Sequence, residues 1–245
     1  MDLLKTIRKN TFTTIISTII IGIVIFLLAQ LSAKFTISVF ADNLTFWNKN
    51  VVFKSFMLIY SLTTILILNR GKLTGFGLSK PAKFNVFKLT GLTALITIFI
   101  MIFGTIVFIK ILSNMFPRPG ETGFPQHNSI IEMILVVWLW SSFVEEVFVR
   151  SLLQTILSNL KNIKLFKLSL SVIISGLLFG SMHLSLLATG RNLWFVMHIV
   201  LFTSSIGILA AWYREKTDSI VPAFLVHLLA NIFGSLPLLI MHFVK

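Results

Sequence analysis

Cysteine is missing from all 245 residues. Its absence excludes disulfides, thiolate nucleophiles and cysteine metal sites. Acidic residues are nearly as scarce, with 8 Asp and Glu against 21 Lys and Arg, and only 12% of the chain is charged. The HExxH pattern of zinc hydrolases is absent, and no serine has the Gly-x-Ser-x-Gly setting of an activated nucleophile. No internal repeat, linker or low-complexity segment divides the chain, which predicts one membrane domain over residues 1–245. No cleavable signal peptide is expected, because the first apolar run, Thr11–Leu31, is too long and no small-x-small site follows it.

What fills the chain is hydrocarbon. Hydrophobic residues make up 56% of it, with a mean hydropathy of +0.94. A soluble core does not need that much apolar residue. Runs of about 20 apolar residues recur, the length that crosses a bilayer. They do not alternate apolar and polar residues as barrel strands do. The expected fold is therefore all-α, a polytopic transmembrane bundle of about seven spans: Thr11–Leu31, Val51–Leu68, Leu89–Leu112, Ser129–Leu157, Leu168–Ala188, Trp194–Trp212 and Ser219–Leu239. Ser32–Asn50 is expected as a loop. The tail is ambiguous, since Gly234 can end the last helix and leave Leu236–Val244 as a short eighth segment. The net charge of +13 sits between the apolar runs, which suits anionic lipid headgroups rather than nucleic acid. Lys5, Arg8 and Lys9, the basic stretch Asn69–Lys88, Lys161, Lys164, Lys167, Arg214 and Lys216 fall on one side. Lys34, Lys49, Arg118 and Arg191 fall on the other. This bias predicts a multi-pass cell-membrane protein with a cytoplasmic N-terminus.

Against that background the stretch Ser141–Leu157, SSFVEEVFVRSLLQTIL, stands out. It carries Glu145, Glu146 and Arg150 in mid-span. An ionisable side chain at that depth costs about 2.5–3.5 kcal/mol on insertion scales, so the default reading is a functional site. Neighbouring residues on a helix point about 100° apart, so the two glutamates have different jobs. Glu146 and Arg150, four apart, share a face. A buried ion network holding helices together is the structural alternative. His183 lies in the fifth span, and His227 and Asn231 share one face of the seventh; helix–helix hydrogen bonding competes with catalysis for all three. His198 is expected to serve packing or solvation, and His127 and His242 to be loop and tail residues. Lys54, near the end of the second span, is expected to snorkel.

Two carboxylates, two histidines, an asparagine and an arginine on three spans suffice for hydrolysis by an activated water, with hydrogen bonds to a developing oxyanion. Zinc held by Glu145, His183 and His227 is the second choice, and no cofactor the first. A proton-coupled transporter is disfavoured by the lack of repeats and of paired broken helices.

EEVFVR, FGSMH and HLLAN, in that order, resemble the EExxxR, FxxxH and HxxxN motifs of the CPBP family (CAAX protease and bacteriocin-processing, or Abi) of intramembrane endopeptidases. The resemblance covers roughly Ile131–Gly234, with a catalytic core at about 129–234. It implies that Glu145 activates water with His183, that His227 and Asn231 form the oxyanion site, and that Glu146 and Arg150 support them. Family members have been described both as metalloproteases and as metal-independent glutamic proteases, and the second is favoured here. Val149 and Ser151 replace the Phe and Gly that often flank the arginine, which bears on packing rather than chemistry. The implied substrate is a peptide or membrane-associated protein, in bacteriocin or pheromone maturation or in self-immunity. The alternative is a non-catalytic membrane partner of a sensor or bacteriocin receptor. Glu145 is expected to face His183 and His227 in an interior cavity, and Glu146 to reach Arg150.

Overall fold

The computed structural model describes residues 3–40, 44–124 and 129–243, with side chains to residue 236. The readings of His127 and Val244, and of the His242 side chain, lie outside the described residues.

Where no water can bond the backbone, a chain satisfies its peptide groups only within helices or closed barrels. This chain does so with helices. A short α1 (Leu3–Ile7) leads into α2 (Thr11–Phe40), α3 (Phe46–Leu68), α4 (Val86–Met115), α5 (130–160), α6 (Leu170–Thr189), α7 (Leu193–Thr217) and α8 (Ile220–Phe243). Small polar residues start the spans. Thr45 accepts from Asn48 N at 3.2 Å, Asn85 from Lys88 N at 2.9 Å, Ser129 from Glu132 N at 3.0 Å, Ser169 from Val172 N at 3.1 Å and Asn192 from Trp194 N at 2.9 Å. Each satisfies a backbone donor that the first turn leaves free. The only strands among the described residues are a two-residue antiparallel hairpin, Lys164–Leu165 with Leu168–Ser169, between α5 and α6.

Among the described residues, α2, α3, α4, α6 and α7 are long and apolar enough to cross a membrane, and α8 is a shorter apolar helix over Ile220–Leu236. The chain is a multi-pass membrane protein. One expectation needs correction, and one open reading is decided. The segment Ser32–Asn50 is mostly helix, because α2 runs on to Phe40 and α3 begins at Phe46. One lysine, Lys34, does not stop a helix whose other residues there are apolar or small. The tail is one continuous helix to Phe243, with no break at Gly234.

The packing is that of a bilayer protein. Large side chains of α2 (Ile16, Ile20, Ile23, Leu27, Leu31) and of α4 (Leu95, Ile98, Phe99, Ile102) face outward. Small or polar ones face inward: Thr14, Thr18, Ala29 and Ala33 on α2, and Thr93, Thr97 and Gly104 on α4. α6 and α7 approach closely at Gly176, Gly180 and Gly207; a Cβ on Gly176 would lie 2.7 Å from the Ile208 backbone nitrogen. Gly176 and Gly180 are four apart, the spacing that lets membrane helices touch backbone to backbone.

The two ends of the bundle differ. At one end Arg8 donates to the Ile156 carbonyl at 3.2 Å, Ala82 N to the Thr217 carbonyl at 3.0 Å and Ser169 to Glu215 at 2.7 Å. At the other, Arg191 pairs with Glu121 at 2.6 Å and Trp194 donates to the Phe116 carbonyl at 2.7 Å. The basic segments thus gather at the first end. α5 runs through the middle, buried without a break from Val144 to Leu157.

Candidate active site

The site is built on α5. This helix is not uniform, because i→i+5 turns over Met133–Ser141 and Val147–Leu153 flank an α-helical turn, Ser142–Glu146. Such widened turns tend to occur at functional sites. Here the turn between them carries both glutamates. Glu146 and Arg150 are fully buried, and Glu145 is 6% exposed.

Glu146 and Arg150 meet as expected. Arg150 Nε lies 3.2 Å from Glu146 Oε2, an ionic contact rather than an aligned hydrogen bond. Arg150 Nη1 donates to the Ser175 carbonyl at 3.1 Å and to Ser175 Oγ at 2.6 Å, which ties α5 to α6. The guanidinium lies over the Phe179 ring at 5.2 Å. That ring also stands edge-on to His183 at 5.6 Å and to His227 at 5.1 Å. The Phe of the FGSMH stretch therefore spaces both histidines and the arginine.

His227, one-tenth or less exposed on α8, touches both glutamates. Its Nδ1 lies 3.1 Å from Glu146 Oε1, and its Nε2 lies 3.7 Å from Glu145 Oε2. A carboxylate can only accept, so Nδ1 carries a proton and donates it to Glu146. His183 sits just past Ser181, where α6 tightens from α-helical to i→i+3 turns. Its Nδ1 donates to the Phe179 carbonyl at 3.2 Å, which leaves Nε2 with a lone pair in the neutral ring. Glu145 interacts electrostatically with His183 and His227. Asn231 Nδ2 donates to Ser142 Oγ at 2.9 Å and, at a long 3.5 Å, to the Val137 carbonyl. Nothing in the sequence marked Ser142 as part of the site.

The clearest departure is Lys54. The expected snorkelling lysine is 6% exposed, and its Nζ is bonded to Glu145 Oε1. A strongly hydrated ammonium buried at that depth needs a fixed anion, and α5 supplies one. The signal was present in spacing: Trp47, Lys54, Ser61 and Leu68 recur every seven residues and are all buried, so Lys54 lies on the inner face of α3. Glu145 thus faces His227 and Lys54 directly. No hydrogen bond joins it to His183 among the described residues.

Among the described residues no group of three or more His, Asp or Glu side chains is placed to hold a metal ion. Glu145, His183 and His227 are not drawn together around a metal position, with Lys54 held against Glu145 Oε1, so as arranged they do not fit zinc, and no step is derived through it. A cavity of about 270 Å³, lined by Arg8, Gln154, Thr155, Lys161 and Arg214 among others, opens at the basic end of the bundle. Glu145 and Glu146 do not line it, so their expected interior cavity is not this one.

Residues 127–233 match the Rce1-like family, described as type II CAAX prenyl endopeptidase Rce1-like. No curated protein and no solved structure matches the chain. The match takes in α5 to most of α8, with Glu145, Glu146, Arg150, His183, His227 and Asn231. It leaves out α3 and Lys54.

Proposed function

We propose that this chain, which carries a Rce1-like domain over residues 127–233, hydrolyses a peptide bond in a peptide or membrane-associated protein with a water activated by Glu145 and His183. One observation carries the reading. Glu145 Oε2 and His227 Nε2 stand 3.7 Å apart in a buried site, from helices far apart in sequence. With Nδ1–H committed to Glu146, a neutral His227 presents a lone pair at Nε2 to another acceptor. Two acceptors face to face call for a donor, and a small shift of either side chain admits a water to supply it.

Glu145 takes a proton from that water, and His183 Nε2, bare in the neutral ring, is the second acceptor within the site. The hydroxide adds to the peptide carbonyl, whose oxyanion accepts from the weakly held N–H of Asn231 and from His227 Nε2 once it has taken the proton from Glu145; that proton then passes to the leaving amine as the C–N bond breaks. Glu146 and Arg150 hold His227 and Phe179 in place. Water activation without a metal is part of this reading. So are a single membrane domain with its core at about 129–234, a location in the cell membrane and a cytoplasmic basic end with the N-terminus. The setting we favour is maturation of a bacteriocin or pheromone peptide, or self-immunity.

The buried Lys54–Glu145 pair favours a second reading, in which the charged cluster is a scaffold in a non-catalytic membrane partner. Glu145→Gln separates the two. With the purified protein in liposomes, cleavage of a farnesylated CAAX peptide and of its unprenylated counterpart is followed by mass spectrometry. The expected result is lost cleavage at unchanged protein level and helicity. Undiminished cleavage by the variant sinks the glutamate mechanism. Phenanthroline and EDTA should leave the wild-type rate unchanged.

A further inference from the structure

We infer that Lys54, outside the family-matched stretch, is a positioning residue of this site: its ammonium balances the Glu145 carboxylate, fixes Oε1 and leaves Oε2 free as the proton acceptor. The activity part of this inference rests on the function proposed above; the charge part does not.

Charges must balance in a site that water does not reach freely. The groups facing Glu145 are Lys54 from α3, His227 from α8, His183 from α6, and Glu146 and Arg150 from its own helix. Arg150 compensates Glu146. Lys54 compensates Glu145. The four charges sum to zero, so neither histidine must be protonated to neutralise the cluster. Both imidazoles therefore stay available to receive and return a proton.

Remove the lysine charge and one negative charge is left without a partner in a poorly hydrated interior. Such a group takes up a proton rather than remain ionised. The carboxylate that has lost its partner is Glu145, and once protonated it is no longer a base. The geometry points the same way. Lys54 holds only Oε1, while Oε2 is turned to His227. The lysine orients the carboxylate so that its free oxygen faces the second helix. Its position on the buried seven-residue repeat of α3 holds it there, between Trp47 and Ser61. The first half of the chain thereby contributes a charge to the site and not only spans.

The test reads Glu145 directly, by infrared difference spectra of full-length protein in lipid nanodiscs. The wild type minus Glu145→Gln spectrum at neutral pH should show an ionised carboxylate stretch. The Lys54→Met minus Lys54→Met/Glu145→Gln spectrum should show a protonated carboxyl stretch instead. Lys54→Arg, which keeps the charge, should resemble the wild type. In the cleavage assay Lys54→Met should lower kcat about 100-fold or more with little change in KM, and move the acid limb of the kcat profile to higher pH. Lys54→Arg should recover most of the rate. A protonated Glu145 in the wild type, or an ionised one in folded Lys54→Met, overturns the inference. If Lys54→Met does not fold, the wild-type spectrum alone decides. Expected spectra without cleavage by the wild type uphold the charge role and refute the protease reading instead.

Discussion

Replacing Arg150 with methionine keeps the bulk of a fully buried side chain and deletes its charge. Two kinds of interaction go with it: the ionic contact to Glu146 and two hydrogen bonds to Ser175. Their sizes differ enough to be told apart. Hydrogen bonds between membrane helices average about 0.6 kcal/mol, so two account for roughly 1 kcal/mol. Breaking a buried ion pair from one side costs about 3–5 kcal/mol, because the remaining charge is stranded. Arg150→Met is therefore expected to destabilise the fold by about 3–5 kcal/mol. Glu146→Gln in the same background neutralises the stranded carboxylate and should recover about half or more of that loss. The measurement is reversible unfolding in mixed micelles, followed by tryptophan fluorescence from Trp138 and Trp140 on α5. A cost near 1 kcal/mol for Arg150→Met, or strict additivity in the double variant, would show that Arg150 acts through its hydrogen bonds to Ser175 alone and refute the reasoning.

Gly176→Ala should cost about 1–3 kcal/mol in the same assay, because its Cβ meets the backbone of Ile208, which cannot swing aside; a neutral substitution would mean that α6 and α7 have room to spare. Asn231→Ala should lower kcat about 10²–10³-fold while reducing stability by only about 0.6 kcal/mol. If Ser142→Ala, which removes the Asn231 partner, reproduces both effects in full, Asn231 is a helix tie and not an oxyanion donor.

The class of molecule and the charged cluster at its centre are written in the order of residues. Apolar runs of bilayer length leave helices as the way to satisfy the backbone, so the spans are legible along the chain. Charges that are costly in hydrocarbon mark α5, and the four-residue spacing of Glu146 and Arg150 brings them together by helix geometry alone. Which groups meet across helices came only with packing. Packing gave His227 to both glutamates and set Phe179 between the histidines. It also turned Lys54 from a surface anchor into the counterion of Glu145. The difference arises because hydrophobicity does not tell inside from outside in a bilayer. Lipid-facing and core-facing positions of α3 are both apolar, so its inner face is marked only by the recurrence of Trp47, Lys54, Ser61 and Leu68, and their burial becomes visible once α5 is packed against them.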